Sequence, residues 1–541
     1  MFCEKPYNNE SKIPKLSDLT FERMFIWARI KTTNLSENME IQRIEAFQTI
    51  AIPSRNRGWL LFWVIVLILG AVAYLIYPAL RLGYFYQINY SEGWNAYHQK
   101  EAVDGLPLYS DPIADPFTPV TIPPLSLYAL GFIGKMVGDY LIPGRVLSML
   151  ALAAMPVVCG LMLFSVGSRK RASLFGGLAA LTLVTAYAPE YAGMNDPHLL
   201  ALAIALTGLL VYVKWGDHNI GLAASCALMS IALCTSQTVF SAGLAIGLDV
   251  FIRSRRRGLI WLGASVATFL VLDLSTGFHS GQLLLEQIPR LAGFSLDTFF
   301  TQLGRLDFVF LILLLVTGWA AIICVFQPRL RLFSFYFAFA LLFGLAFSGG
   351  TTAGMYHLFD LFAAMGLMAG SSVNRVPAIF HRVPGLSFKA TWILPPLLVF
   401  CLLFNLPDRL PKGNTLNLLA STQSNFERDV IEIRKQPGRV FCENLLLCFY
   451  AGKPLELDSS TAAELAIQAT SDENLTLAVF ESRQFALIQL NRSIPKDLAD
   501  SEYLPGVIRM GSMTRNMRIA ILKNYRFDHR GGTGVFYVPQ P

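Results

Sequence analysis

A short polar segment directly after the first long apolar run carries residues suited to acid–base chemistry. It reads Asn-Tyr-Ser-Glu-Gly-Trp-Asn-Ala-Tyr-His over residues 89–98. Ionisable groups are costly to place so close to hydrocarbon, so their presence indicates a chemical role. Partial desolvation makes a carboxylate more basic, which suits it to accept a proton from a hydroxyl group. We therefore predict that Glu92 is a catalytic base.

Further polar residues follow later apolar runs. Asp196 and His198 stand where one run begins, Arg290 lies in a long polar loop, and His357 and Asp360 open another run. We predict Asp196 as a second base or an orienting group, although a carboxylate before a proline is also an ordinary helix N-cap. The last two residues are equally suited to a buried polar pair between helices.

The composition is that of a membrane protein. Of the 541 residues, 54% are hydrophobic and 15% are charged, and the mean hydropathy is +0.47. A soluble protein would have about a quarter charged residues. The apolar runs are also long enough to span a bilayer as helices.

These runs predict about eleven membrane-spanning helices. They cover residues 59–77, 144–166, 172–188, 199–213, 220–233, 239–252, 259–274, 306–326, 332–347, 355–369 and 392–404. A twelfth apolar stretch, 125–137, is short and bounded by prolines and glycine, and we expect it to lie at the membrane interface.

The distribution of Lys and Arg predicts the orientation. With the N-terminus in the cytoplasm, Arg169-Lys170-Arg171 and Arg255-Arg256-Arg257 fall on the cytoplasmic side, as the positive-inside rule requires. Counting 125–137 as a span would place the second cluster outside. The net charge of +7 is largely explained by cytoplasmic loops and needs no nucleic-acid partner.

The predicted organisation has three parts. Residues 1–58 form a cytoplasmic tail, 59–405 the membrane domain with a long first outer loop at 78–143, and 406–541 a soluble extracytoplasmic domain. Short strands alternate with helices at 422–435 and 461–470 in the last part, which favours a small α/β fold. Cys442 and Cys448 lie in this domain, and the sequence leaves a disulfide and two reduced thiols equally open.

The order of motifs resembles the GT-C membrane glycosyltransferases, in particular the family 39-like branch of protein mannosyltransferases and the aminoarabinose lipid A transferase, here in a bacterial form. The matching segments are DGLPLYSDP (104–112), PPLSLYALGFIGKMVGD (123–139), GRVLSMLALAA (144–154) and NDPHLLALAIALTGLLVY (195–212). The landmark residues are Gly105, Leu108-Tyr109, Pro123-Pro124-Leu125 and Arg145, with Asp196 in the place of the family's Asp-led span. The chain departs from the family at Ser91-Glu92, where relatives have an acidic pair, so Glu92 alone would carry that role.

The resemblance implies a sugar donor carried on a polyprenyl phosphate and a glycan, lipid or protein acceptor at the outer face of a bacterial inner membrane. A base would deprotonate the acceptor hydroxyl, and cations or hydrogen-bond donors would stabilise the departing phosphate. The predicted substrate-binding residues are Trp94, Asn95, Tyr97, His98, Tyr109, His198, Arg290, His357 and Asp360. A divalent metal is possible, but no ligand set at defined spacing supports one.

Two other classes of protein fit a polytopic chain with polar groups near the membrane. A lipid or glycan transporter should carry charged or broken helices at the midplane, whereas the charges here gather near span ends. A non-enzymatic envelope-assembly protein is the third reading. Loss of function on replacing Glu92 would separate an enzyme from such a scaffold.

Overall fold

The computed structural model describes residues 55–541 apart from several short stretches. These are 107, 110–117, 119, 121, 278–293, 351–353, 381–389, 406–412, 468–472, 499–501, 503–508 and 511. Within this range, Trp59–Pro541 forms one compact unit.

The membrane domain is built from helices joined by short connections. They are α1 (Arg55–Arg81), α2 (Tyr90–Asp104), α3 (Pro124–Val137), α4 (Ile142–Ser165), α5 (Lys170–Tyr187), α6 (His198–Trp215), α7 (Asn219–Thr235), α8 (Ser241–Arg253), α9 (Arg255–Ser275), α10 (Leu296–Leu303), α11 (Phe308–Cys324), α12 (Arg331–Ser348), α13 (Phe359–Phe380) and α14 (Ala390–Asn405). Helices cover all eleven predicted runs, including the last one, where Pro395 and Pro396 lie inside α14.

Five of these helices are long and apolar enough to cross a membrane by themselves, namely α1, α4, α6, α9 and α12. Together α10 and α11 also pass this test, but they are bent by 94° at the break between them. The other helices over predicted runs are shorter or less apolar. The chain is therefore an integral membrane protein with a polytopic helical domain, as predicted.

Glycines allow α5 and α13 to pack closely in the centre of the bundle. A Cβ atom added to Gly366 would lie 2.6 Å from the Cβ of Ala180 and 2.7 Å from the carbonyl oxygen of Gly176. Small residues spaced four apart, such as Gly366 and Gly370, allow helix backbones to approach in this way inside membranes. This contact fixes the positions at which α5 ends and α13 begins.

Two helices outside the spans, α2 and α3, lie together at the end of the bundle where α1 finishes, which we call the α2 end. Helix α2 begins with Asn89 as its N-cap, whose side chain accepts a hydrogen bond from the Ser91 amide, and stops at the left-handed Gly105. Helix α3 buries Leu127 and Leu130 but exposes Phe132 and Met136. This division of faces suits an interfacial helix.

The C-terminal domain is a small α/β fold, as predicted. Its four-stranded sheet has the order β1-β2-β6-β5, with β1 parallel to β2 and the other neighbours antiparallel. The strands are β1 (Arg439–Cys442), β2 (Phe485–Leu490), β5 (Tyr525–Arg530) and β6 (Val535–Pro539), with a separate pair β3 (Arg509–Met510) and β4 (Met513–Thr514); the helices are α15 (Thr415–Lys435), α16 (Leu445–Tyr450), α17 (Ser459–Ile467), α18 (Glu473–Glu481) and α19 (Arg515–Asn524). The predicted helix at 422–435 thus begins seven residues earlier.

A disulfide joins Cys442 at the end of β1 to Cys448 in α16, which decides the alternative that the sequence left open. Both residues are buried in an apolar cluster that also contains Trp94 and Tyr97 of α2. The crosslink thus lies where the C-terminal domain packs on α2. The five free cysteines among the described residues are buried, as expected for small core residues.

The C-terminal domain docks on α2 through buried hydrogen bonds as well as apolar contacts. Asp458 accepts hydrogen bonds from the Tyr90 hydroxyl at 2.7 Å and from the Trp94 indole at 2.8 Å. The Tyr97 hydroxyl donates to the Lys453 carbonyl oxygen at 2.8 Å. Burial, with the charge of Asp458 adding to it, raises the pKa of Tyr90 well above its ordinary value, so this phenol stays a donor. Helix α2 is thereby held between the bundle and the domain.

Asp458→Ala should loosen this docking. The substitution leaves two buried donors without a partner, and hydrogen bonds to charged groups are each worth about 1.5–3 kcal/mol. Hydrogen exchange of the α2 amides, followed by mass spectrometry, should be faster than in wild type. Because Asp458 also accepts from the Ser460 and Thr461 amides of α17, Tyr90→Phe serves as a second variant that touches only the interface.

Asp528→Ala is the matched control, since Asp528 is half exposed and contacts His529 beside it. Unchanged exchange of α2 in both Asp458→Ala and Tyr90→Phe would contradict the docking role.

Candidate functional site

A buried ion pair lies at the start of α2. The Nε and Nη2 atoms of Arg145 donate to Oε1 and Oε2 of Glu92 at 2.8 and 2.7 Å. Both side chains are 0% exposed. The carboxylate also accepts the backbone amides of Ile88 at 2.8 Å and Asn195 at 3.0 Å. Each oxygen of Glu92 therefore has two donors.

Arg145 also ties down the connection between α1 and α2. Its guanidinium donates to the carbonyl oxygens of Arg81, Tyr84 and Tyr86 at 3.3, 2.5 and 2.7 Å. Burying two charges is expensive unless such additional hydrogen bonds satisfy them. This arrangement joins α4, the start of α2 and the link from α1 in one network.

The geometry favours a positioning role for Glu92. A general base needs an oxygen within hydrogen-bond reach of the proton that it removes. Both oxygens of Glu92 are enclosed and occupied by an arginine and two amides. This geometry does not support the prediction that Glu92 alone is the base.

The loop between α5 and α6 is clamped to α2 through Asn195. The backbone N–H of Asn195 donates to Glu92, as described above. The carbonyl oxygen of Asn195 accepts from Asn95 Nδ2 at 2.8 Å, and its side-chain oxygen accepts from Gln99 Nε2 at 3.0 Å. Gly144 allows the close approach, because an added Cβ would lie 1.7 Å from Asn195 Oδ1. Asn95, which the sequence predicts to bind substrate, is thus hydrogen-bonded to this loop.

Next to this clamp, Asp196 and His198 form a pair. Asp196 Oδ1 lies 2.5 Å from His198 Nδ1 and accepts the His198 backbone amide at 2.9 Å. Asp196 is 6% exposed and the side chain of His198 is 12% exposed. The His198 ring lies 4.0 Å from that of Tyr356 and 6.5 Å from that of Tyr191. Asp196 thus holds both the first amide of α6 and the imidazole ring. It is not the N-cap of α6, because that position is Pro197, which forms no side-chain cap hydrogen bond.

The surroundings of this Asp196–His198 pair are aromatic and contain a cation. Burial, with the charge of Asp196 adding to it, raises the pKa of Tyr191 well above its ordinary value, and the exposed Arg305 opposes this shift. Tyr191 therefore stays a neutral phenol, and Arg305 lies within electrostatic range. The end of α5 meets the start of α11, because the Tyr187 hydroxyl donates to Asp307 Oδ1 at 2.7 Å.

The structure places three other predicted binding residues of α2 away from this pair. Trp94 and Tyr97 face the C-terminal domain, as described above. His98 is 1% exposed, with Nδ1 2.7 Å from Glu101 Oε2, and its Nε2 is enclosed without a hydrogen-bond partner among the described residues. These aromatic side chains serve the docking interface.

The remaining predicted residues are divided. The His357 ring lies 4.2 Å from that of Tyr356 and is tilted by 44° to it, so His357 belongs to the neighbourhood of His198. Asp360 is buried and accepts the Tyr336 hydroxyl at 2.7 Å, which is a contact between α12 and α13. Tyr109 donates to the Ile122 carbonyl oxygen at 2.9 Å within the first loop. Arg290 lies outside the described residues.

Sequence reasoning overlooked Tyr356, Tyr191 and the clamp formed by Asn195 and Gln99. It noted Arg145 as a landmark without pairing it with Glu92. A signal was available there, because an arginine in the first turn of an apolar helix requires a nearby acid. In the part of the chain that the structure describes, no three His, Cys, Asp or Glu side chains form a group that could hold a metal ion.

Comparisons with known proteins identify the fold. No protein-family model matches the sequence, and neither does any curated protein. Among solved structures, the chain is similar to ArnT from Cupriavidus metallidurans bound to undecaprenyl phosphate, with a TM-score of 0.52, 14% identity, and coverage of 89% of this chain and 98% of that one. The oligosaccharyltransferase of Archaeoglobus fulgidus tethered with an acceptor peptide gives a TM-score of 0.47 and 10% identity, covering 89% and 74% of the two chains.

The similarity to ArnT extends over nearly the whole of both chains, so it includes the membrane helices and the C-terminal domain. The chain therefore shares the fold of ArnT, and the order of its sequence motifs predicted a fold of this kind. At this level of identity the comparison establishes the architecture, and the chemistry has to be argued from the residues.

Glu92→Gln should destabilise the protein. The amide keeps the shape of the side chain but leaves Arg145 buried without a counter-charge, and breaking a buried pair costs about 3–5 kcal/mol. The midpoint of thermal unfolding in detergent should fall by several degrees relative to wild type. Glu427→Gln is the matched control, because Glu427 is an exposed residue of α15. A Glu92→Gln protein with wild-type stability would contradict the positioning role.

Proposed function

We propose that the chain is a membrane glycosyltransferase that moves a sugar from a polyprenyl-phosphate donor to a glycan, lipid or protein acceptor of the cell envelope. The observation that carries the proposal is the Asp196–His198 pair, held by a buried network at one end of a GT-C bundle. An acid–base pair in this position suits a reaction in which an acceptor hydroxyl must lose a proton.

The reaction is assigned to the α2 end of the bundle. The arginine and lysine clusters fall at the opposite end, between α4 and α5 and between α8 and α9, so the positive-inside rule favours an α2 end that lies outside the cytoplasm. ArnT, whose fold the chain shares, has been solved bound to undecaprenyl phosphate. A donor of this class would hold its phosphate at the membrane surface, level with the Asp196–His198 pair.

The described residues supply the other parts that this chemistry needs. The exposed Arg305 would stabilise negative charge on the departing phosphate. Arg290, to which the sequence gives the same task, lies outside the described residues. The rings of Tyr356 and Tyr191 flank His198 and would pack against the sugar. Glu92 and Arg145 position this site through Asn195. The proposal assigns no step to a metal ion.

A deletion strain tests the function. Mass spectrometry of its envelope lipids and glycans should show an accumulated polyprenyl-phosphate sugar and a truncated acceptor. A wild-type copy should remove both changes, whereas Asp196→Asn should not, because it replaces the carboxylate of the acid–base pair.

Asp217→Asn is the matched control, since Asp217 is 85% exposed and lies at the far end of α6. Unchanged envelope lipids and glycans in the deletion strain would contradict the proposal and favour a non-catalytic membrane protein.

A further inference from the structure

The contacts of Asp196 determine how the imidazole of His198 is protonated. A carboxylate accepts hydrogen bonds and donates none, and Asp196 Oδ1 lies 2.5 Å from Nδ1 of His198. The same oxygen accepts the His198 backbone amide, which fixes the carboxylate relative to the ring. The proton of a neutral imidazole is therefore held on Nδ1, and Nε2 keeps its lone pair.

The ring of His198 is more exposed than that of His98, which forms a similar pair with a carboxylate. The Nε2 atom of His198 has no hydrogen-bond partner among the described residues, and the ring is part-exposed at the α2 end. His98 also pairs through Nδ1 with a carboxylate, that of Glu101, but its Nε2 is enclosed. Of these two histidines, His198 alone presents a lone pair to a substrate.

The charged and titratable groups around His198 come from its own loop, from two short helices and from the segment before α11. Asp196 precedes it in the same loop, and Tyr191 faces it from the short helix Pro189–Tyr191. Tyr356 and His357 approach from the short helix Met355–Leu358. Arg305, before α11, lies close enough to act on Tyr191. Asp196 is thus the described carboxylate in direct contact with the ring.

We propose, on the basis of the function assigned above, that Nε2 of His198 is the proton acceptor and that Asp196 is its positioning residue. The acceptor O–H bond breaks, and its proton moves to Nε2. The acceptor oxygen forms a bond to the anomeric carbon of the donor sugar. The bond between that carbon and the phosphate oxygen breaks, and its electron pair leaves with the polyprenyl phosphate. The imidazolium then returns the proton to solvent.

An imidazole suits this task better than the neighbouring carboxylate. A general base is most effective when it titrates near the working pH, and imidazole is the side chain that ordinarily does so. Both donors to Asp196 bind the same oxygen, Oδ1, and hold the carboxylate against Nδ1 of the ring, while Nε2 has no hydrogen-bond partner among the described residues. Asp196→Asn would place an amide donor against Nδ1 and move the ring proton to Nε2, which removes the lone pair needed for catalysis.

The first test concerns the tautomer and needs no substrate. Histidine-selective 15N solid-state NMR of the protein in lipid bilayers, with His198→Asn to assign the signal, should show the Nδ1–H form of neutral His198. In Asp196→Asn the Nε2–H form should dominate. An Nε2–H form in the wild-type protein would overturn the proposal.

The second test is the rate of turnover with the donor that accumulates in the deletion strain. His198→Asn should lose about 100-fold or more of the rate. His218→Asn is the matched control, because His218 is the exposed N-cap of α7, just after the far end of α6.

The outcomes separate this inference from the function on which it rests. A wild-type rate in a folded His198→Asn protein, with Asp196→Asn inactive, would overturn His198 as the acceptor and assign the proton to Asp196. No turnover of any polyprenyl-phosphate sugar by the wild-type protein would instead overturn the proposed function, and with it the role of His198 in this reaction.

Discussion

The buried ion pair of Glu92 and Arg145 is the interaction on which the rest of the α2 end depends. Two opposite charges with no exposure to solvent are stable only while each hydrogen-bonding atom keeps its partner. Those partners are backbone groups of the α1–α2 link and of the loop before α6. The pair joins α2 to α4, which carry its two side chains, and it fixes the α1–α2 link and the loop before α6. It does so without presenting an atom to a substrate.

The position of the proposed catalytic pair, Asp196 and His198, depends on this network. Asn195 is held on four of its polar atoms by α2 and by Tyr140 in the link between α3 and α4, and Asp196 follows it directly in the chain. Helix α2 is in turn held by the C-terminal domain through Asp458. Hydrogen bonds thus connect the C-terminal domain to α2 and α2 to Asn195, the residue before Asp196. The C-terminal domain therefore stabilises α2.

Much of the fold was predictable, because hydrophobic runs and charge asymmetry are local properties of a sequence. Helices lie over all eleven predicted runs, α3 covers the short apolar stretch at 125–137, and the α/β character of the last domain is correct. The site was harder to predict. Trp94 and Tyr97 have the composition of a sugar-binding surface, but their partners Asp458 and Lys453 lie more than 350 residues away. Likewise, Glu92 has the same chemistry whether it is a base or half of a buried pair, and only the position of Arg145 separates the two.

The most direct measurement is a cryo-EM structure of the protein with its polyprenyl-phosphate sugar bound. We expect the sugar to lie against His198 and Tyr356, with the phosphate on the side of Arg305, while Glu92 remains paired with Arg145. An opened ion pair with the Glu92 carboxylate in contact with the sugar or the acceptor would contradict this expectation.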